Sequence, residues 1–186
     1  MSKVHSLTCN LEGIVGQTKT HGFRQVLLLN NNTLEEFKLS PGDLRENIIL
    51  ECDDLYQLPS GTKLTSGELQ LRLTYHCEPC KKISGLCNPK DIIGKRGYLA
   101  TVHRPGAIEV GNFFVNEGIV FESIPYSPSQ RIEWYLNSIK GPIFASELVS
   151  SVALQSSYCR ALPRILAKLG ERYQQKVKFK HSSPRK

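Results

Sequence analysis

Two cysteines three residues apart, Cys77 and Cys80, stand in the segment Thr74-Tyr75-His76-Cys77-Glu78-Pro79-Cys80-Lys81-Lys82. Thiols at this spacing can hold a metal, form a redox pair, or present one reactive thiolate. Proline cannot extend a β-ladder, so the chain must leave its sheet at Pro79 and carry Cys80 to a rim. Lys81 and Lys82 then favour the thiolate of Cys80 over its thiol. A zinc site would draw on Cys77, Cys80 and Cys87 with His76 or His103, but a second Cys-x2-Cys or Cys-x2-His half is missing. A thioredoxin-like pair calls for a strand opening into a helix within a βαβ unit, which the pattern does not offer. Cys77 is then a resolving or second sulfur-handling thiol. Cys9, Cys52 and Cys159 read most simply as small buried apolar residues.

The element that positions these thiols alternates with a period of two. Leu69, Leu71, Leu73 and Tyr75 share one face, and Gln70, Arg72, Thr74 and His76 the other, which predicts a strand with one face on a core. Further short apolar segments at 25–30, 47–50, 98–102 and 108–115 are separated by Gly, Pro, Asn and Asp turns. A short helix is expected over 32–38, capped by Asn32 or Thr33. Many short strands with glycine at the turns predict a mainly β fold, a closed or nearly closed β-barrel with short helices.

From Pro125 the period changes to 3.6, predicting a small α-helical C-terminal region. One helix is expected over 131–139, capped by Ser129 and stopped at Gly141-Pro142, a second over 145–154, and a third from near Ser157 to Leu169. Three short helices with a tight turn resemble a helix-turn-helix unit, although Pro163 is expected to kink the third. The resulting plan is a barrel domain over 1–120, a helical region over 121–170, and a basic, disordered tail over 171–186.

The net charge of +7 is unevenly distributed. Residues 160–186 hold nine Lys and Arg against the single acid Glu171, leaving fifteen basic and sixteen acidic groups in the other 159 residues. A basic end suits nucleic acid or another polyanion, or is simply solvated. Six irregularly spaced cysteines are too sparse for a disulfide scaffold. No apolar run reaches the roughly 18–20 residues of a membrane span, and Met-Ser-Lys-Val-His has no signal-peptide core. The expectation is a cytoplasmic protein with reduced thiols and no membrane partner.

Six fragments in order carry a resemblance: Gly13-Ile-Val-Gly16, His21-Gly-Phe-Arg-Gln-Val26, Pro41-Gly-Asp-Leu-Arg-Glu-Asn-Ile48, Leu73-Thr-Tyr-His-Cys-Glu-Pro-Cys80, Lys95-Arg-Gly-Tyr98 and Pro105-Gly-Ala-Ile-Glu-Val-Gly111. Over residues 8–116 the chain resembles the MOSC domain, named for the C-terminal domain of molybdenum cofactor sulfurases. The resemblance implies a β-barrel that binds the molybdenum cofactor (molybdopterin), with one reactive cysteine following a proline after a strand. That position is Cys80. In the family's reductases this cysteine ligates molybdenum, and in sulfurase-linked members it is proposed to carry a persulfide. The cofactor brings a phosphate and a dithiolene, for which guanidinium forks are well shaped.

Carried over residue by residue, the matched fragments offer Arg24, Arg45, Asn47 and Arg96 as cofactor-binding candidates. Each has a plainer reading: Arg24 as a solvated strand start, Arg45 and Asn47 as turn residues, Arg96 as decoration of a turn. Gly97 would let the backbone approach a ligand closely. The implied activity is reduction of N-hydroxylated or N-oxygenated compounds, fed by an electron-transfer partner. An alternative is a persulfide or cofactor carrier served by a partner cysteine desulfurase, which would hold the pyridoxal phosphate that this chain does not bind. A third is a nucleic-acid-associated binder using the C-terminal helices. Those helices loosely resemble the winged-helix half of DNA alkyltransferases but lack the Pro-Cys-His-Arg tetrad of that chemistry.

Overall fold

The computed structural model describes residues 4–18, 22–80 and 83–179. Lys81 and Lys82, expected to polarise Cys80, lie outside the described residues, as do residues 180–186 of the basic tail. The chain divides into two compact units, Met1–Ile124 and Pro125–Lys186.

The first unit is mainly β. Its strands are β1 (Ser6–Asn10), β2 (Gly13–Ile14), β3 (Val26–Asn30), β4 (Ile48–Leu50), β5 (Thr62–Ser66), β6 (Leu69–His76), β7 (Tyr98–Arg104), β8 (Gly106–Glu109) and β9 (Val115–Val120), with helix α1 (Asn31–Phe37) after β3. Six strands form one curled half-barrel sheet in the order β4-β3-β7-β6-β5-β9, and β2-β1-β8 form a second sheet. Among the described residues of this unit only β3 and β4 pair in parallel, as their helical crossover allows. Leu69, Leu71 and Leu73 of β6 meet Val26 and Leu28 of β3 and Ala100 and Val102 of β7 in one core, to which the smaller sheet adds Cys9 and Ile108. The opposite face of β3 is covered by α1 and the chain after β6, where Leu29 packs with Leu34, Leu44, Ile83 and Ile92.

Local chemistry moves some expected boundaries. The helix expected over 32–38 begins one residue earlier, because Asn30 at the end of β3 caps it by accepting the Asn32 N–H at 2.9 Å. The segment 108–115 is not one strand. The Asn112 amide N–H donates to Glu109 O at 3.0 Å while its side chain accepts the Glu109 N–H at 2.9 Å, and this reciprocal turn separates β8 from β9.

The second unit contains α2 (Pro128–Ser138), β10 (Ile143–Phe144), α3 (Ala145–Ser151), a 3₁₀ turn over Ser156–Arg160, α4 (Leu162–Leu169), α5 (Glu171–Lys176) and β11 (Val177–Lys178). Its own core joins Ile132, Leu136, Leu148, Val149, Leu162, Leu166 and Tyr173. Ser127 rather than Ser129 precedes the first helix. Pro163 does not kink a helix: the chain breaks into a 3₁₀ turn before it, and the proline enters the first turn of α4, where its missing N–H has no role.

The tail expected to be disordered from 171 is ordered through β11. Tyr173 and Val177 are buried apolar anchors, and Val177 pairs in parallel with Ile143. Lys176 Nζ donates to the terminal carbonyls of the α2 segment, Leu136 O at 2.6 Å and Ile139 O at 3.1 Å. A high basic content concealed these anchors because it averages over them. Among the described residues no helix is long and apolar enough to cross a membrane.

Candidate functional site

The site begins with a register shift at the end of β6. Leu73 pairs with Ala100 and His76 with Tyr98, so Thr74 and Tyr75 together face the single residue Leu99. Such a bulge reverses the alternation beyond it. His76 takes the core side, with its ring 4.5 Å from that of Tyr98 in an edge-on contact. Burial lowers its pKa, so the imidazole is neutral at pH 7. Tyr75 is buried, and its hydroxyl is near enough to Arg24 to help raise the guanidinium pKa. Thr74 anchors the arrangement by donating its hydroxyl to Phe23 O at 2.8 Å.

Cys77 stands at the centre of the group. Its N–H donates to Gly97 O at 2.8 Å, and its buried thiol receives Arg96 Nη1 and, at 3.8 Å, Arg24 Nη2. Burial raises the Cys77 pKa, with Arg96 and Arg24 opposing. Arg24 is also 3.6 Å from Glu78. Its own pKa is raised: desolvation pulls it down, but the negative ends of Tyr75, Cys77 and Glu78 outweigh that.

Arg96 is 5 % exposed, and its Nε is buried without a hydrogen-bond partner among the described residues. It is therefore no surface decoration. A buried guanidinium whose acceptor is a thiol leaves several kcal/mol of desolvation uncompensated until an anion arrives. Gly97, expected to admit a ligand, serves the fold. It sits at φ +114°, and a Cβ there would come within 2.7 Å of Leu27 Cδ1 and Leu28 O.

Cys80 lies on the turn that leaves the sheet, partly exposed, with its carbonyl accepting the Ile83 N–H at 3.1 Å. It is near enough to Cys77 to act on that thiol electrostatically. The other two candidates do not join the group. Arg45 is exposed with φ +62° in a turn, its N–H bonded to Gly42 O at 3.0 Å. Asn47 accepts the Leu27 N–H at 2.8 Å and donates to Gln17 Oε1 at 3.3 Å, tying the start of β3 to the chain after β2. Gln17, with Glu12, Gly16 and Gln25, lines a cleft beside β2 that no thiol reaches.

Of the residues that sequence reasoning named, the structure brings Arg24 and Arg96 together on the thiol of Cys77, which that reasoning had kept as a second thiol beside Cys80. The bulge that sets the positions after Leu73 has no signature in an alternating pattern. Among the described residues no three His, Cys, Asp or Glu side chains converge as a metal cluster.

A model of the MOSC domain matches residues 23–114, the stretch that contains Arg24, Cys77, Cys80 and Arg96. Residues 23–114 are a MOSC domain. This family is associated with molybdenum cofactor binding. Solved structures agree on the fold. YiiM from Escherichia coli is 15% identical with a TM-score of 0.55, covering 90% of this chain and 88% of its own. YuaD from Bacillus subtilis is 20% identical with a TM-score of 0.51, covering 60% of this chain and 84% of its own. No curated protein matches the sequence. The donor set of this MOSC domain fits an anionic cofactor, since the orphaned Nε of Arg96 lacks an acceptor that phosphate or dithiolene oxygens and sulfurs would supply, and the partly exposed Arg24 adds a second guanidinium on the same thiol.

Proposed function

We propose that this protein binds the molybdenum cofactor at the end of β6, with Cys80 as its molybdenum ligand, and reduces N-hydroxylated or N-oxygenated compounds. The observation that carries the reading is Arg96, a buried cation with an unused donor, held on the Cys77 thiol three residues before Cys80. When bound, the cofactor supplies two-electron chemistry at an N–O bond. The chain supplies the rest. Arg96 and Arg24 give directed donors to its anionic groups, Cys80 gives a thiolate on a turn braced by Pro79, and Cys77 holds Arg96 Nη1 in place. Neutral His76 packs edge-on against Tyr98 on the core side. Arg45 takes no part in this reading, and Asn47 shapes the neighbouring loop. An electron-transfer partner delivers reducing equivalents.

The test is elemental analysis of protein purified from a host that makes the cofactor. Wild type carries molybdenum and reduces an N-hydroxylated amidine with a chemical electron donor, whereas Cys80→Ser loses both. Metal-free wild type, or undiminished molybdenum in the variant, overturns the reading. The persulfide-carrier alternative uses the same thiol and requires Cys80 to gain the mass of one sulfur when incubated with a pyridoxal-phosphate cysteine desulfurase.

A second reading concerns the helical unit. Arg160, Arg164 and Lys168 are all exposed and follow one another at intervals of four, the last two on an unkinked α4. This stripe suits a nucleic-acid backbone. Binding should weaken steeply with salt and drop on Arg164→Glu with Lys168→Glu. A flat salt response removes this role. Truncation belongs at residue 180, since removing Lys176 and Val177 would strip the unit of anchors.

A further inference from the structure

We propose that the helical unit holds a cleft for a nucleobase, guanine, stacked on Trp134 and read along its edge by Glu133.

The cleft is open, about 390 Å³ in volume, and lined by Pro125, Gln130, Glu133, Trp134 and Asn137. The last four stand at i, i+3, i+4 and i+7 along α2, so they share one helix face, while Ile132 and Leu136 of the same helix enter the core. One flat aromatic ring is thus bordered by three hydrogen-bonding side chains. A nucleobase matches that composition, since it presents a π face for stacking and donors and acceptors along its edge. The volume lies within the roughly 300–1,000 Å³ of small-ligand clefts.

Glu133 is braced from within the unit. Tyr173, 2 % exposed, donates its hydroxyl to Glu133 Oε1 at 2.8 Å and lies 3.2 Å from Asn137 Oδ1. Arg172 donates to the same hydroxyl, and its guanidinium lies over the Tyr173 ring at 4.5 Å. A carboxylate accepts hydrogen bonds and offers none. Guanine brings two donors on one edge, its ring N–H and its amino group, whereas adenine brings only an amino group. Glu133 therefore favours guanine.

Charge decides between ligand classes. Residues 125–186 hold eleven Lys and Arg against three acids, Glu133, Glu147 and Glu171, a field that gathers anions. A neutral sugar gains nothing from that field and a cationic ligand is repelled by it. A nucleotide joins a flat base to an anionic phosphate and suits both the ring and the field. When the base belongs to a strand, the Arg160, Arg164 and Lys168 stripe meets the backbone, and that part rests on the nucleic-acid reading above. Recognition of the base does not.

Trp134 is the single tryptophan of the chain, so its fluorescence reports on the cleft directly. The experiment titrates the full chain with guanosine and adenosine monophosphates, and separately follows a dye-labelled, guanine-containing single-stranded oligonucleotide by fluorescence polarisation. The expected result is saturable quenching, with guanosine monophosphate about tenfold the tighter, the scale of one further hydrogen bond. Glu133→Gln keeps an acceptor for Tyr173, and it should abolish that preference by weakening guanosine monophosphate alone. Trp134→Ala should weaken the oligonucleotide about ten- to a hundredfold, the scale of one lost base stack. Should Trp134→Ala fail to fold, Glu133→Gln decides. No saturable quenching at millimolar nucleotide overturns the proposal, as does equal affinity for the two nucleotides, or a response to methyl glucoside or guanidinium chloride in their place. Quenching by guanosine monophosphate beside a flat salt response of the oligonucleotide overturns the strand reading alone. Salt-sensitive oligonucleotide binding that Trp134→Ala leaves unchanged overturns the base cleft alone.

Discussion

Two buried polar groups, Tyr173 in the helical unit and Arg96 in the barrel unit, are held in opposite ways. Around Tyr173 in the helical unit, the hydroxyl meets Glu133 Oε1 at 2.8 Å and Asn137 Oδ1 at 3.2 Å, and the Arg172 guanidinium stacks over the ring at 4.5 Å. Donors and acceptors there are matched within the chain. At the end of β6, Arg96 is also buried but has a thiol as its acceptor and an Nε with no partner among the described residues. The first arrangement repays burial by itself, and the second leaves a donor open.

The contrast breaks most sharply under truncation. Tyr173→Ala should destabilise the helical unit by about 3–5 kcal/mol in urea unfolding, through lost packing and a stranded network. Arg96→Met should leave stability unchanged or raised, since a hydrophobic residue of similar volume removes an uncompensated cation. If Arg96→Met unfolds the barrel, Arg96 is structural and the contrast fails.

A second prediction concerns pH and tests the barrel core alone. Burial raises the Cys9 pKa from 9.0 to about 11. The folded state therefore holds that proton more tightly, so the stabilisation is complete below pH 9 and is lost as pH rises through about 11. The effect is on the order of 2 kcal/mol, read as a shallower alkaline unfolding slope in Cys9→Ala.

Ligand retention sharpens the open side. Arg96→Met should lower molybdenum content in cofactor-producing cells by about ten- to a hundredfold, the scale of one lost charge-assisted hydrogen bond at about 1.5–3 kcal/mol. The smallest effect separates the two residues of the β3–β4 loop. Asn47→Ala should cost about 1–2 kcal/mol of stability because the Leu27 N–H loses its acceptor, while Arg45→Ala should stay within about 0.5 kcal/mol. Equal effects at both positions would show that Asn47 is not a structural tie.

Legibility tracked how local each determinant was. The strand 69–76 was readable because alternation is a property of neighbours, and α4 was half-readable because its apolar spacing is local. The place of Pro163 is hidden from a local reading because a kink and a helix start look alike until the preceding turn is known. Tyr173 and Val177 were lost in a basic average, because what anchors them, Glu133 and Ile143, lies more than thirty residues away. Of the candidate site, the motif order delivered Arg24, Arg96 and Cys80. The neighbours that give them meaning came from elsewhere.

By itself the sequence determined the mainly β character of the first unit and the alternating strand that ends before Pro79, although that strand stops at His76 rather than at the proline. Alternation, proline's missing donor and residue chemistry act within a few positions. Only the tertiary structure decided that Cys77 lies between two guanidiniums and that Arg96 is buried with a donor to spare. Those facts depend on a register shift between β6 and β7 and on the close passage of Gly97 against β3. Register is a relation between strands that pair across more than twenty residues of chain. No local pattern carries it.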